Sequence, residues 1–227
     1  MRPAFFFACW RCAPKRLKLD AVTLLQRRFR FIEHGPLVDD ELELVHPQKR
    51  WVDDLIAACR HHQTVAHMPR DARLTREEVD HFLWESPMGR YPGDESLGRV
   101  PAYQFWMLLH HGSGGRHTNP PLRIAGGISV RIGNTPSVEL YYGHLGYHVY
   151  PAVRGHHYAL RACQLVLPLL RAHDQTTAWI TCDPGNPASR RTIEHLGGTY
   201  VETVDVPVGE PLYARGERQK QRYRLDL

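Results

Sequence analysis

Residues 149–159 read VYPAVRGHHYA. Strand-forming residues run up to Pro151, a tight turn follows, and a helical pattern begins near Gly155. Such a turn points several unpaired backbone N–H groups outward from the start of a helix. Those groups and the helix dipole attract an anion, most naturally a phosphate or pyrophosphate. Arg154 adds a charge, and Gly155 permits close backbone approach. An ordinary strand-to-helix turn with a solvated arginine accounts for the same residues equally well. The histidine pairs His61-His62, His110-His111 and His156-His157 make no metal site by themselves, because adjacent side chains point apart on a helix or strand. Cys9 and Cys12 form a C-x-x-C with no second ligand pair, so no metal is expected.

The elements around this turn can be read from periodicity. Residues 41–46 (ELELVH) alternate as a half-buried strand, and Pro47 ends it. Trp51, Leu55, Ile56 and Cys59 have helical spacing over residues 48–60. Thr75 and Glu78 form a capping box that opens a second helix. Residues 86–100 and 112–121 read as loops. Residues 102–111, 122–132 and 138–150 read as strands, the last two forming an antiparallel hairpin across a turn at 134–137. Residues 155–173 carry the longest helical pattern, with a kink or early end expected at Pro168. Strand 177–181, helix 188–196 (stopped by Gly197-Gly198) and strands 199–206 and 222–227 complete a mixed α/β layer fold.

Composition bounds the class. The 227 residues carry 29 Lys+Arg against 24 Asp+Glu, a formal charge of +5, with 42% apolar residues. That excludes a disordered polymer. No run reaches the roughly 18 apolar residues of a membrane span, so no membrane partner is expected. The basic charge is dispersed and interleaved with acids; it motivates a nucleic-acid-associated reading only weakly, and no nucleic acid is expected as a partner. Five irregularly spaced cysteines imply no disulfide framework and a cytoplasmic location. The apolar run 4–10 lacks a small-residue cleavage site and makes a poor secretory signal. The expected organisation is an N-terminal extension, 1–39, disordered or arising from a misplaced start codon, and one domain, 40–227.

The segment resembles the acyl-CoA signature of the GNAT N-acetyltransferase superfamily, V-x-P-x-x-R-G-x-G-x-A. It is met by Val149, Pro151, Arg154, Gly155 and Ala159. His157 stands where the pattern has its second glycine. GHLGYHVYP at 143–151, TCDPGNPAS at 181–189 and IEHLGG at 193–198 match, in order, further motifs of a bacterial GNAT subgroup. The resemblance covers about residues 41–227.

The resemblance implies a GNAT-like fold: a central mixed sheet of about seven strands, helices on both faces, and two central strands that splay apart. It implies acetyl-CoA as co-substrate, entering the gap and pairing its pantetheine with backbone at His148, Val149 and Tyr150. The pyrophosphate would rest on Arg154, Gly155, His156, His157, Tyr158 and Ala159, and Asn186 would reach the pantetheine. The activity implied is transfer of acetyl to a primary amine of a small molecule or peptide, by direct attack. The amine must be neutral, so a base or a water relay takes its proton. His144 is the first candidate base and Glu139 the second. The Tyr that many relatives use as acid for the leaving thiolate is Ile193 here. A catalytically silent acyl-CoA-binding module is the alternative, and the molecule is expected to be a monomer or homodimer.

Overall fold

The structure is a computed structural model and describes residues 29–110 and 121–227. The expected loop 112–121 lies almost wholly outside the described residues. Among the described residues the strands and α-helices follow in this order: β1 Leu42–Val45, α1 Val52–Arg60, α2 His62–His67, α3 Arg76–Glu85, β2 Arg90–Tyr91, β3 Ala102–Leu109, β4 Ile124–Arg131, β5 Leu145–Val149, α4 Tyr158–Ala172, β6 Thr177–Cys182, α5 Pro187–His195, β7 Thr199–Asp205, α6 Pro211–Ala214 and β8 Gln219–Asp226. β1-β3-β4-β5 form one antiparallel sheet, with β2 also on β3, and β6-β8-β7 form a second. α4 crosses from the edge of the first sheet to the second, the connection typical of parallel neighbours. Among the described residues eight strands, one of them two residues long, give the expected mixed α/β fold.

Each helix buries one stripe. α1 turns Val52, Leu55, Ala58 and Cys59 inward, and α4 turns in Tyr158, Ala162, Cys163, Val166, Leu169 and Leu170. The two cover opposite faces of the first sheet. Tyr150 at the end of β5 meets Cys59 of α1 (Oη to Sγ 3.2 Å), whereas Tyr103 of β3 bonds His173 at the end of α4 (Oη to Nε2 2.8 Å). The Thr75–Glu78 capping box opens α3 as expected.

Three expectations need correction. Residues 138–150 do not make one strand: Val138–Tyr142 form a turn of π-helix, Gly143 has φ of +68°, and only Leu145–Val149 pair with β4. The aromatic run VELYY has strand-forming composition, but the left-handed Gly143 breaks the extension. α4 continues through Pro168 to Ala172, because Leu169 and Leu170, buried beyond the proline, hold the last turn in the core. Ordered chain also begins before residue 40. Phe31 packs edge-on to Tyr103 (centroids 5.0 Å), Phe29 stacks on His173 (5.3 Å), and the Ile32 N–H donates to Tyr103 Oη at 2.7 Å. Arg161 of α4 then gathers Asp39, Asp40 and Glu41. Residues 1–28 lie outside the described residues. Among the described residues no helix is long and apolar enough to cross a membrane, and no cluster of three metal-ligating side chains occurs.

Candidate active site

The two sheets meet at one point. The His144 N–H donates to Trp179 O (2.6 Å), the Trp179 N–H donates to His144 Nδ1 (2.9 Å), and Thr181 Oγ1 donates to Tyr141 O (2.8 Å). Gly143 permits this approach: a Cβ there would stand 3.0 Å from Trp179 O and 3.1 Å from Ile180 Cα. Beyond this point β5 and β6 share no ladder, so a gap opens toward Val149 on one side and Cys182 on the other.

Register decides which backbone groups face the gap. β5 pairs with β4 through Gly146–Ser129 and His148–Gly127, flanked by bonds from Arg131 N–H to His144 O and from Tyr150 N–H to Ala125 O. Antiparallel pairing alternates, so His148 and Tyr150 direct their backbone groups to β4, and Tyr147 and Val149 direct theirs to the gap. The Val149 carbonyl accepts from Arg154 Nε (3.0 Å). The N–H groups of Tyr147 and Val149 have no protein partner among the described residues.

The gap leads to the start of α4. After the Pro151–Val153 turn, Gly155 takes φ of +94° and His157, the N-cap, φ of +57°. The helix has no side-chain cap and no acid in its first turn. The N–H groups of Gly155, His157, Ala159 and Leu160 meet no protein acceptor among the described residues, and the first bond inside the helix runs from Arg161 N–H to His157 O. The dipole therefore presents unneutralised positive charge. The His157 ring is exposed, and the His156 ring stacks on Tyr158 (5.4 Å).

The side chains expected to do chemistry fall into place differently. His144 is fully buried, and both ring nitrogens are engaged: Nδ1 accepts from Trp179, and Nε2 lies 2.9 Å from Asn134 Oδ1 and donates to it. Burial, reinforced by the Arg131 charge, pushes its pKa down to about 4, so the imidazole is neutral. No ring nitrogen is left to take a proton from an amine. Glu139 lies on the π-helical turn, its carbonyl accepting from Arg222 Nε at 2.8 Å. It lines a hollow with Asp174, Thr176 and Trp179, at the end of α4 opposite the anion-attracting turn. His148 is buried beside Arg154; burial first and that charge second push its pKa down to about 3. Asn186 caps α5, its Oδ1 accepting the Ser189 N–H (3.1 Å), which leaves its amide N–H groups as donors.

Sequence reasoning missed Tyr147. Its phenol lies 3.0 Å from Ser189 Oγ on α5, below the gap, and burial raises its pKa well above the ordinary value. It is a protonated hydroxyl carried by β5 and set against α5, the helix on which the family's tyrosine position is the fully buried Ile193. The signal was present in period two: Leu145, Tyr147 and Val149 share the face that looks toward α4 and α5.

Strands that part over an uncapped helix start define an acyl-transferase architecture, and comparison with known proteins agrees. A family model described as "Acetyltransferase (GNAT) domain" matches residues 41–199. The chain belongs to that family and is an acyltransferase. Among solved structures, the ribosomal L7/L12 alpha-N-protein acetyltransferase RimL in complex with coenzyme A superposes with a TM-score of 0.58 at 14% identity, covering 85% of this chain and 98% of that one. The microcin C7 self-immunity acetyltransferase MccE, in complex with acetyl-CoA and AMP, gives 0.56 at 15%, covering 83% and 94%. A GNAT-family acetyltransferase from Bacillus anthracis gives 0.54 at 15%, covering 85% and 98%. No curated protein matches the chain.

Proposed function

We propose that the chain transfers an acetyl group from acetyl-CoA to a primary amine of a small molecule or peptide by direct attack. The observation that carries this reading is the uncapped start of α4, with the N–H groups of Gly155, His157, Ala159 and Leu160 turned to a gap whose edge offers those of Tyr147 and Val149. The residues fit the co-substrate. A pyrophosphate accepts from the helix start and Arg154, and the pantetheine amides pair with the open edge of β5 like an added strand. MccE and RimL, solved with acetyl-CoA and with coenzyme A, share the fold and support the assignment.

Acetyl-CoA supplies the activated acyl carbon. The chain's own residues hold, orient and exclude. The Tyr147 and Val149 N–H groups are donors for the thioester oxygen as it gains charge. The Tyr147 phenol stays protonated across neutral pH and donates to the departing thiolate, a role read from its place under the gap. With His144 and His148 both neutral and buried, the amine's proton passes to water. His144 acts as a positioning residue that fixes the closed end of the gap.

Acetyl-CoA titrated into the protein tests the reading through the melting temperature, and thiol release with an amine panel tests turnover. A stabilisation that grows with ligand concentration is expected. An unchanged melting temperature at millimolar acetyl-CoA refutes the assignment.

A further inference from the structure

On the face of β3, β4 and β5 opposite α4, side chains align in three rows: Trp106–Gly127–His148, Gln104–Ser129–Gly146 and Ala102–Arg131–His144. Cross-strand partners share a face, so these rows are neighbours. Gln104 Nε2 donates to Ser129 Oγ at 3.0 Å. Gly127 and Gly146 contribute no side chain. A Cβ on Gly146 would stand 3.2 Å from Arg131 Nη1, so the guanidinium lies over β5 instead of extending into solvent.

That guanidinium is half-buried. Nη1 donates to the carbonyls of Tyr142 (3.3 Å) and Gly143 (3.1 Å). Arg90, Arg161 and Arg222 each meet a carboxylate, but among the described residues none meets Arg131. A partly desolvated guanidinium with open donors is suited to hold a carboxylate through two parallel bonds.

An acceptor approaching on this face meets Arg131 at the end of the sheet away from the Tyr150–Cys59 contact of α1. The other face of the gap is closed by α4 and α5, where Tyr147 meets Ser189 and Ile193 is fully buried. We propose that Arg131 anchors the acceptor, which is a small amine carrying a carboxylate. The inference rests on the acyl-transfer reading and names its substrate class. With the carboxylate on Arg131, the amine nitrogen forms the new bond to the thioester carbon, and the carbon–sulfur bond breaks. The amine's proton goes to water, and the CoA thiolate leaves as the thiol after taking up a proton. The products are an N-acetyl amino acid and CoA.

The test uses matched pairs that differ only in the carboxylate: β-alanine with ethylamine, γ-aminobutyrate with propylamine, lysine with cadaverine. Thiol release is followed at saturating acetyl-CoA. For at least one pair the carboxylate member is expected to exceed its partner about 30-fold or more in kcat/KM, mainly through KM. Arg131→Met should collapse that preference toward unity, and Arg131→Lys should retain part of it. Because Arg131 also holds two carbonyls at the closed end of the gap, Ser129→Asp serves as a second variant. It places a carboxylate in the neighbouring row and should suppress the preference with Arg131 still in place. The melting shift with CoA, read separately, keeps the two claims apart. If CoA gives no shift, the acyl-transfer reading fails and this inference with it. If CoA binds but the pairs react equally, or none reacts, the acceptor inference alone is overturned.

Discussion

The imidazole of His144 stands in for a strand. Its Nδ1 accepts the Trp179 N–H at 2.9 Å while its own backbone N–H donates to the Trp179 carbonyl at 2.6 Å, so one residue closes a two-bond ring with a partner 35 positions away. Asn134 Oδ1 takes the Nε2 proton and fixes the tautomer. β5 and β6 are tied here and part immediately beyond, which makes this pair the hinge of the gap in which the acyl donor is proposed to sit.

That role makes stability depend on pH in a definite direction. The unfolded chain binds a proton on this histidine near pH 6.5, whereas the folded protein resists protonation until about 4. The unfolded state therefore holds more protons between those values. Stability is complete above about pH 6.5 and falls as pH drops, by about 1.4 kcal/mol per unit, until the folded pKa is passed. His148, pushed down to about 3, adds a loss of the same sign. Urea unfolding at pH 7.5 and 5.5 compares the wild type with His144→Asn, whose amide oxygen can still accept from Trp179. The wild type should lose about 1.4 kcal/mol more than the variant over this interval. Equal losses would show that His144 is not held neutral.

Arg154 has two candidate duties. Its Nε donates to the Val149 carbonyl on the gap edge, and its charge lies beside the open start of α4. If the charge serves the pyrophosphate, Arg154→Glu weakens CoA binding by roughly 10- to 100-fold, and Arg154→Gln does so by less. If the side chain only occupies the Val149 carbonyl, both variants leave affinity unchanged or raise it. Calorimetric titration with CoA separates the two outcomes.

Tyr147 tests the leaving-group step. Tyr147→Phe keeps the ring under the gap and removes the hydroxyl that meets Ser189. A phenol that protonates the thiolate predicts a fall in kcat of roughly tenfold or more, with CoA affinity nearly constant. A fall in affinity with kcat intact would mean that the hydroxyl only braces α5 against β5.

What could be read from the chain follows from how local each cause is. The Thr75–Glu78 capping box and the Arg154-Gly155 turn are fixed by residues within a few positions, and both are legible in sequence. The break at Gly143 is also local, yet the aromatic run before it has strand composition, and the π-helical turn is held by contacts to distant partners such as Arg222 and Thr181. The packing of Phe29 and Phe31 could not be read, because their partners, Tyr103 and His173, lie more than 70 residues away and the segment looks like a basic arm. In sequence, His144 has the type and pKa range of a base. Only the fold brings Trp179 and Asn134 to its two nitrogens.

His157 stands where the family pattern has a glycine. His157 adopts φ of +57°, the left-handed region, where a Cβ costs about 1–2 kcal/mol. Its ring is exposed and makes no hydrogen bond or ion pair among the described residues, so the strain is uncompensated. Glycine would relieve it, less the greater entropy glycine gives the unfolded chain. His157→Gly should therefore stabilise by about 0.5–1 kcal/mol, a rise in melting temperature of roughly 1–4 °C. His157→Ala keeps the Cβ and should change little. Because the acceptor-free backbone N–H survives both substitutions, CoA affinity should hold in the alanine variant and hold or rise in the glycine variant, whose bare backbone admits a phosphate more closely. Loss of CoA binding in both variants would place the imidazole itself in contact with the cofactor. Destabilisation by glycine would mean that the turn needs a side chain to keep its shape.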